Sequence, residues 1–143
     1  MDDTDRELLA QLEGNARLPV ATLARRLGLA RSTVQARIER LEEKGIIAGY
    51  ALRLGDAARG DRIRATVLIS IEPRSTPAVL ARLKTLTQVE AAHTASGRWD
   101  MILHVAAPST AQLDEVLDAI GEIDGVKSSE SLIHLSTRID RLG

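Results

Sequence analysis

The sequence predicts an α+β chain in two parts: a run of three short helices, then a β-α-β-β-α-β unit. Three observations carry this reading. Apolar residues recur at helical spacing up to residue 45 and at a period of two from residue 63. Gly14, Gly28 and Gly45 punctuate the helices. Between the halves, RLGDAARGDR at 53–62 holds no sustained apolar pattern and reads as a linker. The expected domains are therefore 1–52 and 63–143, joined by 53–62.

Each element has its own local cause. Thr4 with Glu7 fits a capping box, and Leu8, Leu9 and Leu12 give a stripe, so residues 5–13 form the first helix. Pro19 suits the first position of the second helix, whose inward residues are Leu23, Ala24 and Leu27. Gly28 closes it in the left-handed conformation. Val34, Ile38 and Leu41 share one face of the third helix, which Gly45 stops. Ile46, Ile47, Tyr50 and Leu52 then read as a short strand pair turning at Ala48-Gly49, a wing.

In the second half, Ile63, Ala65, Val67, Ile69 and Ile71 alternate along a strand. Thr76-Pro77 opens a helix with the stripe Val79, Leu80, Leu83 and Leu86. Strands at 88–95 and 99–107 flank a hairpin at Ser96-Gly97-Arg98, with Trp99, Met101, Leu103 and Val105 alternating in the second. Ser109 with Gln112 caps a helix that runs through Leu113, Val116, Leu117, Ile120 and Ile123 to a stop at Gly125. The last strand spans Val126 to about Ile139. This order is that of the ferredoxin-like split βαβ unit, two helices on one face of a four-stranded antiparallel sheet. Its other face, read as largely apolar, needs a cover, which favours a homodimer.

Composition narrows the function. The 143 residues include no Cys, so neither a disulfide framework nor a thiolate metal site is available. No apolar run approaches the ~20 residues of a membrane span, and the acidic start MDDTDRELL is unlike a signal peptide, so a cytoplasmic protein is expected. Tyr50 and Trp99 are the only aromatics besides the histidines, too few for a base-stacking platform. The net charge of −1 hides an asymmetry. Residues 17–44 carry seven cations against three carboxylates, while residues 1–16 carry one against five. A local basic patch on a near-neutral chain suits a module that faces a polyanion.

Residues 19–49, PVATLARRLGLARSTVQARIERLEEKGIIAG, are two short helices around a glycine turn, the arrangement of a DNA-binding helix-turn-helix. With Val34, Ile38 and Leu41 buried, Ser32, Gln35, Ala36 and Glu39 point away from the core, and Arg37, Arg40 and Lys44 line a flank. Ser32, Thr33, Gln35 and Ala36 are the expected base-edge residues, Gln35 being able to bond adenine through both ends of its amide. Arg31, Arg37 and Arg40 are the expected phosphate contacts, so that Arg37→Ala would lower the salt slope of binding by about one.

These residues resemble the Lrp/AsnC family, the feast/famine regulators. The resemblance rests on Asp2, Asp5, Leu8-Leu9, Leu12, Arg17, Leu23-Ala24, Gly28-Leu29, Val34, Arg37-Ile38, Leu41-Glu42 and Gly45-Ile46-Ile47 in the first half. In the second it rests on Gly97-Arg98-Trp99-Asp100 and Ser129-Glu130-Ser131. It implies a sequence-specific, double-stranded-DNA-binding transcription regulator with a winged helix-turn-helix and a RAM/ACT-like ferredoxin fold. It further implies a homodimer assembling into an octamer, and an amino acid or related metabolite bound between dimers, with no other cofactor. Carried over by position, the effector region comprises Gly97, Trp99, Asp100, Ser129, Ser131, Leu132 and His134, with Asp100 meeting a ligand ammonium.

The chain departs from the family pattern at Ala30, where Ser is common, at Ser129 and Ser131, where Thr is, and at His134, where an apolar residue is frequent. Structural roles compete for some of these positions. Gly97 and Asp100 are ordinary turn residues, Trp99 suits a core or interface, and the two serines suit strand pairing. His93, His104 and His134 lack the close spacing of a metal site. Two other functions share the fold class: a DNA-organising protein without effector, and a small-molecule enzyme whose winged helix docks a partner. No nucleophile–base pair or phosphate loop supports the enzyme.

Overall fold

A computed structural model describes residues 1–141, the side chains of Asp56 and Arg59 excepted. The chain divides into two compact units, Met1–Arg53 and Leu54–Gly143.

In the first unit, α1 (Asp3–Gly14), α2 (Val20–Leu27) and α3 (Arg31–Glu43) enclose a small core. Leu8, Leu23 and Val34 are fully buried at its centre, with Leu12, Ala24, Ile38 and Leu41 around them. Each such side chain stabilises the unit by roughly 1.5–3 kcal/mol relative to exposure. The start of α1 differs from the Thr4–Glu7 expectation. Asp2 is the cap: its Oδ1 accepts from Asp5 N at 2.9 Å, and Asp5 Oδ2 accepts from Asp2 N at 3.4 Å. An aspartate here both satisfies an amide and places negative charge at the positive helix end, which a threonine does not. Pro19 stands one position earlier than expected, as the cap of α2, its carbonyl accepting from Thr22 and Leu23. Gly28 has φ +66°, the left-handed stop the sequence asks for.

The strand pair expected over residues 46–52 is not formed. The chain leaves α3 through Gly45 at φ +73° and continues as bends and irregular backbone. Ile47 N bonds back to Leu41 O at 3.0 Å, and Ile47 packs on the helical core, while Tyr50 and Leu52 are exposed. Two residues before Ala48-Gly49 and three after it are too few to sustain a ladder against the pull of that core. The 53–62 segment contains one helical turn, α4 (Asp56–Arg59).

The second unit follows in the order β1 (Ile63–Ile71), α5 (Thr76–Leu83), β2 (Val89–Thr94), β3 (Met101–Ala107), α6 (Thr110–Gly121) and β4 (Val126–Ile133). The sheet order is β2-β3-β1-β4, every neighbour antiparallel, as a ferredoxin-like fold requires. Ala65, Val67, Ile69 and Ile71 of β1 meet Met101, Leu103 and Val105 of β3 on the buried face, under Val79, Leu83, Leu113, Val116 and Ile120. Ser109 caps α6 by accepting from Gln112 N at 3.2 Å. That helix ends at Gly121 rather than running to Gly125, which instead turns the chain into β4 at φ +101°. β4 stops at Ile133, short of the expected Ile139, because its partner β1 runs out: Ala65 faces Ile133, and Arg64 O takes His134 N as the last ladder bond.

The opposite face is less apolar than its sequence suggested. Leu68, Ile102 and Leu132 share it with Thr66, Ser70, His104, Ser128 and Glu130, as the pairings Thr66↔His104, Leu68↔Ile102, Thr66↔Leu132 and Leu68↔Glu130 set out.

Candidate nucleic-acid interface and effector region

The candidate reading surface is built by α3. Ala30 has the extended backbone of a cap (φ −72°, ψ 149°) but no side-chain acceptor, so α3 starts without a side-chain cap. Its first residues, Arg31, Ser32 and Thr33, are exposed, as are Gln35, Ala36, Glu39 and Arg40, while Val34, Ile38 and Leu41 are buried. The expected base-edge residues thus lie on one exposed side of one rigid helix. Gln35 is not free: its Nε2 donates to Glu39 Oε1 at 3.2 Å.

The three arginines separate into two kinds. Among the described residues, Arg31 and Arg40 have no side-chain partner. Arg37 is committed. Its Nη1 donates to both carboxylate oxygens of Asp2 at 2.9 Å and to Asp5 Oδ1 at 3.0 Å. Asp5 is the one buried charged residue of the described chain, and its side chain is 11% exposed against 22% for Arg37. The amide of Asp5 and then the Arg37 guanidinium hold the Asp2 carboxyl below its ordinary value. The same carboxylates, Asp2 first and Asp5 second, hold the guanidinium above its own. Expected at phosphate, Arg37 instead ties the start of α1 to the middle of α3.

The residues carried over to the effector region fall in two places. Gly97 lies in the β2–β3 turn at φ +119°, and the Arg98 guanidinium stands 5.5 Å from the centre of the Trp99 ring. Asp100 clamps the neighbouring strand: its N donates to Ile69 O at 2.9 Å and its Oδ2 accepts from Ile71 N at 2.7 Å. Ser129 is opposite Ile69 on the other side of β1, so Asp100 and Ser129 flank one residue. Ser131 is opposite Val67, one step along the same face as Ser129. Leu132 points to the other face. His134 lies at the far end of the sheet, where its Nε2 meets Thr66 Oγ1 at 2.8 Å. The cavity His134 lines, about 380 Å³, is otherwise made by residues 60–64 and 135–137 and contains none of the other six.

The rings of His93 and His104 meet edge to face at 5.5 Å, and His104 stands opposite Thr66, the partner of His134. Among the described residues no group of three His, Cys, Asp or Glu side chains is placed to hold a metal ion. No described helix is long and apolar enough to cross a membrane.

A helix-turn-helix whose second helix exposes small polar residues beside Arg31 and Arg40, followed by a ferredoxin-like domain, is the layout of a two-part DNA-binding regulator. Residues 1–48 match the model of a winged helix-turn-helix DNA-binding domain, and residues 64–142 match that of the Lrp/AsnC ligand-binding domain. The chain is 32% identical to the transcriptional regulator LrpA of Mycobacterium tuberculosis, over 93% of this chain and 89% of that one. Its fold superposes on E. coli AsnC with a TM-score of 0.89 at 31% identity, covering 99% and 96% of the two chains. A transcriptional regulator of Neisseria meningitidis, solved as a complex with L-Met, superposes at 0.85 with 25% identity, covering 95% and 90%. The chain belongs to the Lrp/AsnC family of transcriptional regulators. It pairs a DNA-binding helix-turn-helix with a ligand-binding domain.

Proposed function

We propose that this regulator reads one double-stranded operator through α3 and changes its binding when an amino acid or a related metabolite occupies the second unit. The observation that carries the reading is the exposed side of α3, small and polar residues flanked by two unpaired arginines. Ser32, Thr33, Gln35 and Ala36 meet base edges, while Arg31 and Arg40 hold phosphate. Arg37 serves as the tie to α1 described above.

The effector site forms around the end of β1, from Gly97, Trp99, Asp100, Ser129 and Ser131. Asp100 Oδ1 meets the ammonium while Oδ2 stays on Ile71, and the serine hydroxyls take the carboxylate. Leu132 and His134 face away from this cluster, so their contribution requires a second copy of the chain. The functional divisions are 1–52 for DNA and 63–143 for effector and assembly, and the active form is a homodimer that assembles into an octamer in the cytoplasm. The L-Met complex of the Neisseria regulator supports an amino acid as the ligand class.

The test is binding to the DNA upstream of the chain's own gene, with and without a panel of amino acids. One amino acid should shift the affinity or the assembly size, and linkage requires DNA to shift the affinity for that amino acid equally. Indifference to every amino acid would remove the effector from the proposal.

A further inference from the structure

Glu39 lies on the side of α3 that faces away from the core, where a DNA reader meets a polyanion. With Val34, Ile38 and Leu41 inward, 100° per residue brings Glu39 round to the side of Ser32 and Ala36. Glu39 is exposed, and its one side-chain partner is Gln35, at 3.2 Å. Among the described residues no arginine or lysine forms an ion pair with it. The nearest cation in sequence on the core side, Arg37, is taken by Asp2 and Asp5.

An uncompensated carboxylate between two phosphate backbones opposes binding unless the DNA offers it a donor. In the major groove guanine presents only acceptors, thymine an acceptor and a methyl group, and adenine an acceptor beside its amino group. Cytosine presents its N4 amino group without an adjacent acceptor of its own. We propose that Glu39 is a specificity-determining residue that selects cytosine, held in position by Gln35; the proposal rests on α3 being the DNA-reading helix.

The pairing with Gln35 fits this use. A carboxylate only accepts, so the Gln35 amide must turn its nitrogen toward Glu39. That leaves one N–H and the carbonyl oxygen of Gln35 for a neighbouring base, the two groups an adenine edge requires. Reach fits as well. At 1.5 Å per residue Glu39 lies about 10 Å along α3 from Ser32, within the roughly 12 Å width of the major groove. Glu43, on the same side, lies about 6 Å further, at the last residue of α3.

The experiment is selection of binding sites from randomised duplex DNA by the full chain and by Glu39→Ala, Glu39→Gln and Glu43→Ala. Titration of the selected site and of random duplex follows at fixed salt, with circular dichroism confirming the helices. The wild type should enrich a motif holding cytosine at one position. Glu39→Ala and Glu39→Gln should lose that preference and lower the selected-to-random affinity ratio about tenfold or more, with random-sequence binding unchanged or tighter. Glu43→Ala should keep the motif. If either Glu39 variant keeps the cytosine, or tightens binding to all sequences by one factor, the proposal is overturned. If the wild type enriches no motif, the DNA-reading assignment falls first and the proposal with it.

Discussion

Arg37 is where an exposed-helix reading of the sequence and the folded chain part most. Its guanidinium joins two carboxylates that begin α1, one of them buried, so removing it strands charge rather than merely deleting a surface cation. Arg37→Ala should therefore lower the thermal midpoint while leaving the salt slope of DNA binding unchanged. Arg40→Ala should do the reverse, lowering the slope by about one with little effect on stability. Titrating both variants against DNA at several salt concentrations separates the two roles. The same cluster sets an acid limit. Asp2 is held below its ordinary value of 3.8, so its contribution to stability is complete above that pH and is lost as pH falls through the lowered value. Urea midpoints taken from pH 5 downward should fall more steeply in the wild type than in Asp2→Asn. Arg37 adds no slope there, because its value is raised and its contribution is complete throughout the acid range. In the second unit, Gly125 is fixed by space as well as by φ. A Cβ there would lie 2.5 Å from Ser75 Cβ and 3.2 Å from Val79 Cγ2. Gly125→Ala should cost roughly 1–3 kcal/mol in denaturant unfolding, and Ser75→Gly should recover part of it.

Elements with local causes were legible in the sequence. The alternation of β1, the left-handed stop at Gly28 and the Ser109 cap each follow from a few adjacent residues, and all three stand where expected. The Asp2 cap, the position of Pro19 and the end of α6 are local and were still misplaced, while the tie made by Arg37 depends on residues far apart in the chain. Arg37 and Asp2 are 35 positions apart, and no helical wheel shows what stands beside a flank. The end of β4 is set by where β1 begins, and the strand pair after α3 yields to the hold of Leu41 on Ile47. The residues carried over to the effector region were legible only as turn and strand residues; their split between two faces emerges from register, which a list of residue types does not carry. The start of α3 offers a direct check of local reasoning. Ala30 already has cap geometry and lacks only the acceptor. Ala30→Ser should let the new hydroxyl take the Thr33 amide and stabilise the chain by about 1 kcal/mol in chemical denaturation. No gain would mean that this amide is already satisfied by its bond to Ala30 O, at 3.1 Å.

For the whole molecule, the question is why a reader with so small a polar face is joined to a sheet domain at all. The first unit has its own core of seven buried residues and its own short-range helix contacts, so a fragment ending at Arg53 should keep its helices. Its proposed base-reading surface comes from one helix of 13 residues, of which the exposed N-terminal side is small and polar. Such a module gives modest discrimination by itself, since each good base contact is worth only about 1–3 kcal/mol. Linking two modules turns the second binding event into an intramolecular one, and the resulting avidity can exceed the single affinity by roughly 10²–10⁴. The full chain should therefore bind a two-half-site operator at least about a hundredfold more tightly than residues 1–53. On an isolated half-site the two should differ little. The salt slope of the full chain on the operator should be about twice that of the fragment, because twice as many phosphates are neutralised. Equal affinities and slopes on the full operator would mean that one module acts per site. The sheet domain would then govern DNA binding by some route other than pairing its readers.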